Sequence, residues 1–290
     1  MPSQVTLRNL LEVGVHFGHR TQKWNPRMDP YIFTSRNGIH ILDLQQTIKH
    51  LNDYHDLIRD TVAGGGVVLF VGTKRQAAET IKQEANRCGM PYVNHRWLGG
   101  TLTNWTTIRK RIDQLKKLEQ RRDKGEFERL TKKEALMLER EIEKLQLRLG
   151  GIRNMKKVPD LVFIVDTVRE DTAVKECNIL DVPIIALVDS NSDPDQIDYI
   201  LPSNDDAMRA IKLMVSAIAD AVLAGRAMRK GESDEDDDFD TMSEEVLSRY
   251  DNNNDSDEDA SDEDYLGEST LAKIRSQKQL LDEDDEDEDN

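Results

Sequence analysis

VVLFV (67–71), LVFIV (161–165) and IIALV (184–188) are the stretches whose reading decides the fold. Each is a wholly apolar run of five, rich in β-branched residues, which is the pattern of a strand buried on both faces. Gly72 follows the first run, and Lys74, Ala77, Ala78, Ile81 and Ala85 then recur at helical spacing until Gly89 and Pro91 stop them, giving a strand–helix unit. A helix around 170–180, stopped at Pro183, separates the other two runs. Tyr92 with Val93, and residues 199–201, supply shorter strands. After Asp205, the residues Ala207, Ala210, Ile211, Met214, Val215, Ile218, Ala221 and Val222 trace the apolar stripe of a long closing helix that ends at Gly225 or near Lys230. Alternating strands and helices predict an α/β domain with a mainly parallel sheet covered on both faces.

Between the first two runs lies a segment foreign to such a sheet. Ile108, Ile112, Leu115 and Leu118, and again Leu138, Ile142, Leu145 and Leu149, form narrow seams at steps of three and four. Gly125 breaks the pattern, and Thr131-Lys132-Lys133-Glu134 is a capping-box signature that restarts a helix. The expectation is a protruding antiparallel helical hairpin, a short coiled coil inserted at 104–149, against the plainer alternative of two core-covering helices.

Charge divides the chain again. Residues 231–290 hold 26 Asp or Glu against four Lys or Arg, while residues 1–230 hold 30 acids against 36 bases, so an overall net of −16 conceals a body of +6. The acidic stretch repels itself and has too few apolar residues to offset the entropy of ordering, which predicts a disordered tail. The domain reading is therefore a body at 1–230 and a tail at 231–290. Cys88 and Cys177 show no CxxC spacing, no apolar run reaches the ~20 residues that span a bilayer, and no leader pattern opens the chain. These features predict a cytoplasmic protein without a membrane partner.

Three groups of residues bear on chemistry. Gly72-Thr73-Lys74-Arg75 places a glycine turn and cations where helix-terminal amides would favour an anion, but it lacks the upstream glycine and the Ser/Thr of a nucleotide loop. His16 and His19 in HFGHR (16–20), with Asp189 in DSNSDPD (189–195) and Asp205 and Asp206, could gather a cation; turn formation and helix capping are the alternative work of such residues. Most productive are bases interleaved with aromatics. Arg20, Lys23, Trp24, Arg27 and Arg36 fall in a region read as irregular, and His95, Arg96, Trp97, Asn104, Trp105, Arg109, Lys110 and Arg111 surround the hairpin entry. Guanidinium groups grip phosphates while indoles and amides meet exposed nucleotides, so these residues, with Lys74 and Arg75, are expected to bind RNA.

HFGHR (16–20), WNPRM (24–28), FVGTKR (70–75), VNHRWLGGTLTNW (93–105), LTKKEAL (130–136), NSDPD (191–195) and NDDAMRAI (204–211) together resemble the bacterial ribosomal protein S2 family, in order and spacing, from about residue 6 to about 228. The resemblance implies a flavodoxin-like parallel sheet with a helical hairpin, and a structural, non-catalytic constituent of the small ribosomal subunit that binds ribosomal RNA. It implies neighbouring small-subunit proteins as partners, ribosomal protein S1 among them, with the hairpin as platform. No cofactor is required by it, but a structural divalent metal is implied near His16, His19, Asp189, Asp205 and Asp206. The acidic tail departs from the family pattern. The rival from another class is a doubly wound enzyme or binding protein for a phosphorylated small ligand, centred on residues 72–75.

Overall fold

A computed structural model describes residues 5–232, with side chains as far as residue 229, so the expected disordered tail falls outside the described residues beyond 232. The elements are α1 (Leu7–Val13), β1 (Phe17–Arg20), β2 (Ile32–Arg36), β3 (Ile39–Leu42), α2 (Leu44–Ala63), β4 (Val68–Val71), α3 (Ala78–Cys88), β5 (Tyr92–Val93), α4 (Trp105–Asp123), α5 (Lys132–Leu149), β6 (Leu161–Val165), α6 (Asp171–Ile179), β7 (Ile184–Val188), β8 (Tyr199–Pro202) and α7 (Met208–Glu232). Five strands make a sheet in the order β5-β4-β6-β7-β8, parallel at every pairing. Numbered within the sheet this is 2-1-3-4-5, the order that flavodoxin also has.

The three apolar runs are buried at every position because the strands alternate their side chains between two cores. Val68, Phe70, Leu161, Phe163, Val165, Ile185 and Leu187 face the layer built by α1, α2, α3 and α7. Leu69, Val71, Val162, Ile164, Ile184, Ala186 and Val188 face the other, where α6 and the near ends of α4 and α5 pack. Phe70 and Phe163 meet edge to face across neighbouring strands, 5.7 Å between ring centres.

Helix α7 crosses α2 closely enough that Gly225 has no room for a side chain: an added Cβ would lie 2.4 Å from the Arg59 carbonyl oxygen and 2.9 Å from Val62 Cβ. Alanine is the better helix former by about 1 kcal/mol, but overpacking typically costs about 1–3 kcal/mol and here the obstacle is backbone. Gly225→Ala is therefore expected to lower unfolding free energy by about 2 kcal/mol in urea melts, opposite in sign to its propensity.

Both edges of the sheet are treated. At one, β5 is only two residues long. At the other, side chains of α2 reach the carbonyls of β8: Thr47 Oγ1 donates to Pro202 O (2.7 Å), Tyr54 OH donates to Ile200 O (3.0 Å), and His50 Nδ1 lies 2.8 Å from the same oxygen.

Residues 17–42 are only partly irregular: Lys23, Trp24 and Arg27 lie in or beside 3-10 turns, whereas Arg20 and Arg36 belong to a second, antiparallel sheet in the order β1-β3-β2. Its hairpin turns on Asn37 and Gly38, with φ of 53° and 75°. Two positive angles in succession are what an Asn-Gly pair accommodates in a two-residue hairpin. The strands are short and their register is broken twice, which hides the alternation in the sequence.

Helices α4 and α5 are joined through Gly125 and a 3-10 turn, Glu126–Arg129. The capping box is formed: Thr131 Oγ1 accepts from the Glu134 amide while the Glu134 side chain accepts from the Thr131 amide. The seam divides along its length. Ile108, Ile112 and Leu149 belong to the core under the sheet, whereas Leu115, Leu118, Phe127 and Ile142 form a small cluster of their own.

Candidate nucleic-acid interface

The small antiparallel sheet carries two kinds of chemistry. Arg20 and Arg36 both pair with Ile39, one from each side. Residues opposite one another share a face, so the two exposed guanidinium groups stand on the same side of the sheet. His19, the preceding residue, lies where the register of β1 is broken and enters an acidic cluster.

There, His19 Nδ1 lies 2.9 Å from Asp189 Oδ2, and its Nε2 lies 3.4 Å from Asp206 Oδ2. The Asp189 carboxylate holds the His19 pKa above its ordinary value, against the effect of burial. Lys74 enters from the loop after β4, with Nζ 2.6 Å from Asp206 Oδ1, 2.9 Å from Asp205 Oδ1 and 3.3 Å from Asp166 Oδ2. Burial opposes that charge, but the three carboxylates outweigh it and the lysine pKa is raised. Asp205, 1 % exposed, is pushed up to about 7 by burial and by repulsion from Asp189 and Asp166, with Lys74 pulling the other way. Its Oδ2 is buried without a hydrogen-bond partner.

His19, Asp205 and Asp206 offer ligand atoms within 4.8 Å of one another, so a metal-competent cluster exists. Asp189 touches only the histidine of that set. His16 is corrected out of it: its ring lies against Phe17, 4.0 Å between centres. His16 lies in the turn before β1 whereas His19 lies within the strand, so the HFGHR spacing does not bring the two rings together.

Two further expectations change. Lys74 is spent inside the fold, so it is not a free phosphate ligand. Trp97 is 8 % exposed and donates its indole N–H to Glu176 Oε1 at 2.9 Å, which makes it a loop anchor rather than a surface for stacking RNA. The same carboxylate accepts from the amides of Gly100 (2.8 Å), Leu102 (2.9 Å) and Thr103 (3.2 Å) and from Thr103 Oγ1 (3.2 Å). One side chain of α6 thus shapes the loop from Trp97 to the start of α4. Nothing in the local sequence marks Glu176 for this, because its donors lie more than 70 residues away.

Around that loop, Arg96 and Asn104 are exposed, as are Arg109, Lys110 and Arg111 on α4. Lys23 and Arg75 are exposed as well. Arg27 is engaged, with Nη1 2.9 Å from both Asp193 Oδ2 and Asp195 Oδ2, and Asp193 caps the turn Pro194–Gln196. Asn204 closes the turn before α7, accepting from the amides of Asp206 and Ala207.

The anion turn after β4 is closed from within. Helix α3 begins only at Ala78, so residues 72–75 precede its free amides. The Thr73 amide donates to Glu170 Oε1 at 2.9 Å, and Glu170 is 3 % exposed. A carboxylate of this chain fills the place that the rival reading needs for a ligand phosphate.

The model of one protein family, Ribosomal protein S2, matches residues 10–225. The chain belongs to the ribosomal protein S2 family. Within it, the chain is 60% identical over 226 residues to a small ribosomal subunit protein uS2 of Oleidesulfovibrio alaskensis, covering 78% of this chain and 87% of the relative. The protein of that name from Maridesulfovibrio salexigens is 58% identical over the same shares. The one from Nitratidesulfovibrio vulgaris is 56% identical over 232 residues, 80% of this chain and 91% of its own. The family match stops short of the acidic stretch. It spans both sheets, α4, α5 and the His19 cluster, so the basic loops belong to the family portion of the chain. No described helix is long and apolar enough to cross a membrane.

Proposed function

We propose that this chain is a structural constituent of the small ribosomal subunit, whose basic body docks on ribosomal RNA to support subunit assembly and translation. Membership of the ribosomal protein S2 family carries this reading. The role is non-catalytic, and its place is the cytoplasm, on the subunit. Arg20 with Arg36, Lys23, Arg75, Arg96, Asn104, Arg109, Lys110 and Arg111 are the exposed groups that would meet RNA; Arg27 contributes less because two aspartates already hold it.

In this reading residues 1–230 are the ribosomal body and residues 231–290 an acidic extension. The insertion at 104–149 acts as an antiparallel coiled-coil hairpin standing off the body, supported by the private cluster of Leu115, Leu118, Phe127 and Ile142. It is the platform for neighbouring small-subunit proteins, ribosomal protein S1 among them.

A divalent cation fits the His19 cluster, because Asp166, Asp189, Asp205 and Asp206 outnumber the charge of Lys74 and because Asp205 Oδ2 is buried and unpartnered. His19, Asp205 and Asp206 would hold it, with Asp189 fixing the histidine ring. Bound there, the ion supplies a structural link between β1 and the turn before α7. Zinc or magnesium at a hundred times its Kd is expected to stabilise the chain by about 2.7 kcal/mol, a rise in Tm of several degrees. His19→Ala should abolish that rise; an equal rise in both proteins places the ion elsewhere.

Sedimentation of cell lysate tests the function. The chain is expected to travel with small subunits and to leave them in high salt. Binding of the purified protein to small-subunit RNA should weaken with salt at a log–log slope of about −0.7 to −0.9 per phosphate neutralised. A chain found only at the top of the gradient, with salt-insensitive RNA binding, ends the proposal.

A further inference from the structure

A groove of about 620 Å³ runs between α4 and α5, near the loop that Glu176 holds. Its rim carries Arg111 from α4 and Arg140, Lys144 and Arg148 from α5. The last three repeat every four residues, so they stack on one helix face about 6 Å apart along the axis. Near the far end of α4, Arg121 is 2.8 Å from Glu126 and Arg122 is 3.1 Å from Asp123, and Glu119 is 2.8 Å from Arg153. The four rim cations have no such partner among the described residues. Glu141, the acid among the lining residues, accepts from Gln114 Nε2 across the helix pair. A row of like charges at this spacing works against the helix that bears it, and a bound polyanion would relieve that repulsion.

The geometry points to an unpaired segment of RNA as the occupant of this groove, with phosphates on Arg111, Arg140, Lys144 and Arg148 and bases against the apolar floor between them. The inference rests on the ribosomal reading and narrows it, adding a wall of α5 that the sequence did not single out. Duplex RNA would use the rim alone, since its bases are stacked away; an unpaired nucleotide presents charge and an open face together. Three of the four rim cations are arginines, whose planar guanidinium groups fork onto phosphate and also stack on bases. An acidic peptide would match the charge but not the floor. Of the apolar lining, Ile108 and Leu149 are 8 % and 2 % exposed and Leu98 and Leu145 are half-buried, so Met137, 61 % exposed, is the most open apolar surface. That is room for the face of a base, not for the row of anchors with which a helix lies in a groove.

The test is fluorescence anisotropy of the full chain with a labelled single-stranded RNA of mixed sequence and with a blunt duplex of equal length. The single strand is expected to bind at least about tenfold tighter. Arg140→Gln, Lys144→Gln and Arg148→Gln combined should lose most of that affinity and reduce the salt slope by about 2, at about 0.7 per phosphate for single strands. Far-ultraviolet circular dichroism and Tm of this variant report whether it folds. Met137→Ser, a single surface change, should weaken the single strand and leave the duplex untouched. Equal binding of strand and duplex, or a folded triple variant that binds like the parent, overturns the inference. So does an acidic amphipathic peptide that binds the parent, is lost in the triple variant and displaces no RNA, which would assign the groove to a protein partner. Co-sedimentation of the parent with small subunits separates the two readings: where it persists while the groove variants change nothing, only the groove assignment falls.

Discussion

Glu176→Ala is expected to destabilise the protein by roughly 4 kcal/mol, near the upper end of what single substitutions do. The carboxylate is 5 % exposed and has no paired cation among the described residues; its charge is held by the Trp97 indole, three backbone amides and one hydroxyl. Hydrogen bonds to a charged group contribute about 1.5–3 kcal/mol, and each buried donor left unpaired costs about 1–3 kcal/mol, so the loop from 97 to 103 would not survive the truncation intact. Burial alone would raise the Glu176 pKa, but the donors from Trp97, Leu102, Thr103 and Gly100 outweigh it and hold the pKa below its ordinary value. A group depressed on folding stabilises fully above its unfolded pKa, and that contribution is lost as pH falls through the folded value. The parent should therefore lose stability below about pH 4.5 more steeply than Glu176→Gln, which has nothing there to titrate. Urea melts across pH measure both effects. A Glu176→Ala protein within 1 kcal/mol of the parent at neutral pH would show that the loop is held by something else.

Lys74→Met should cost about 3–5 kcal/mol in the presence of a chelator, the usual consequence of removing one partner from a buried ionic group. The ammonium sits within 3.3 Å of Asp166, Asp205 and Asp206, and Asp205 cannot turn to water. The accompanying result separates this lysine from the surface cations. Because Lys74 neutralises carboxylates rather than phosphates, the salt slope of RNA binding by the folded variant should equal that of the parent, whereas loss of Arg20 or Arg36 should reduce the slope by about 0.7–0.9. A Lys74→Met protein of normal stability and diminished slope would return the residue to the RNA-binding set.

The central sheet was legible because its strands are buried on both faces. LVFIV and IIALV occupy β6 and β7 residue for residue, and VVLFV overruns β4 only by Val67. The capping box at Thr131 and Glu134 was legible for a related reason: its partners are three residues apart. Contacts between residues distant in sequence were not. Lys74 reads as a phosphate ligand until Asp205 and Asp206 arrive 131 and 132 positions later, and Glu170 gives no local sign that it closes the turn at Thr73. Helix α2 and the antiparallel sheet escaped for another cause. Asp43 caps α2, and Leu44, Leu51, Ile58 and Val62 mark its buried face, but the polar Thr47 breaks the apolar stripe and Tyr54 packs its ring on Tyr199 of β8. The Asn37-Gly38 turn was a usable hairpin signal, obscured by strands whose exposed faces carry Phe33 and Arg36.

The guarded margins of the main sheet bear on the interval between synthesis and assembly. A ribosomal component waits unassembled at the side of many copies of itself, and an open strand of this sheet would recruit a neighbour's backbone and seed insoluble fibres. With Thr47, His50 and Tyr54 occupying the outward carbonyls of β8, and Pro202 lacking an amide hydrogen to offer, that margin presents little for another polypeptide to zip onto. These side chains of α2 thereby act as a built-in safeguard of solubility during that wait, independent of any nucleic acid.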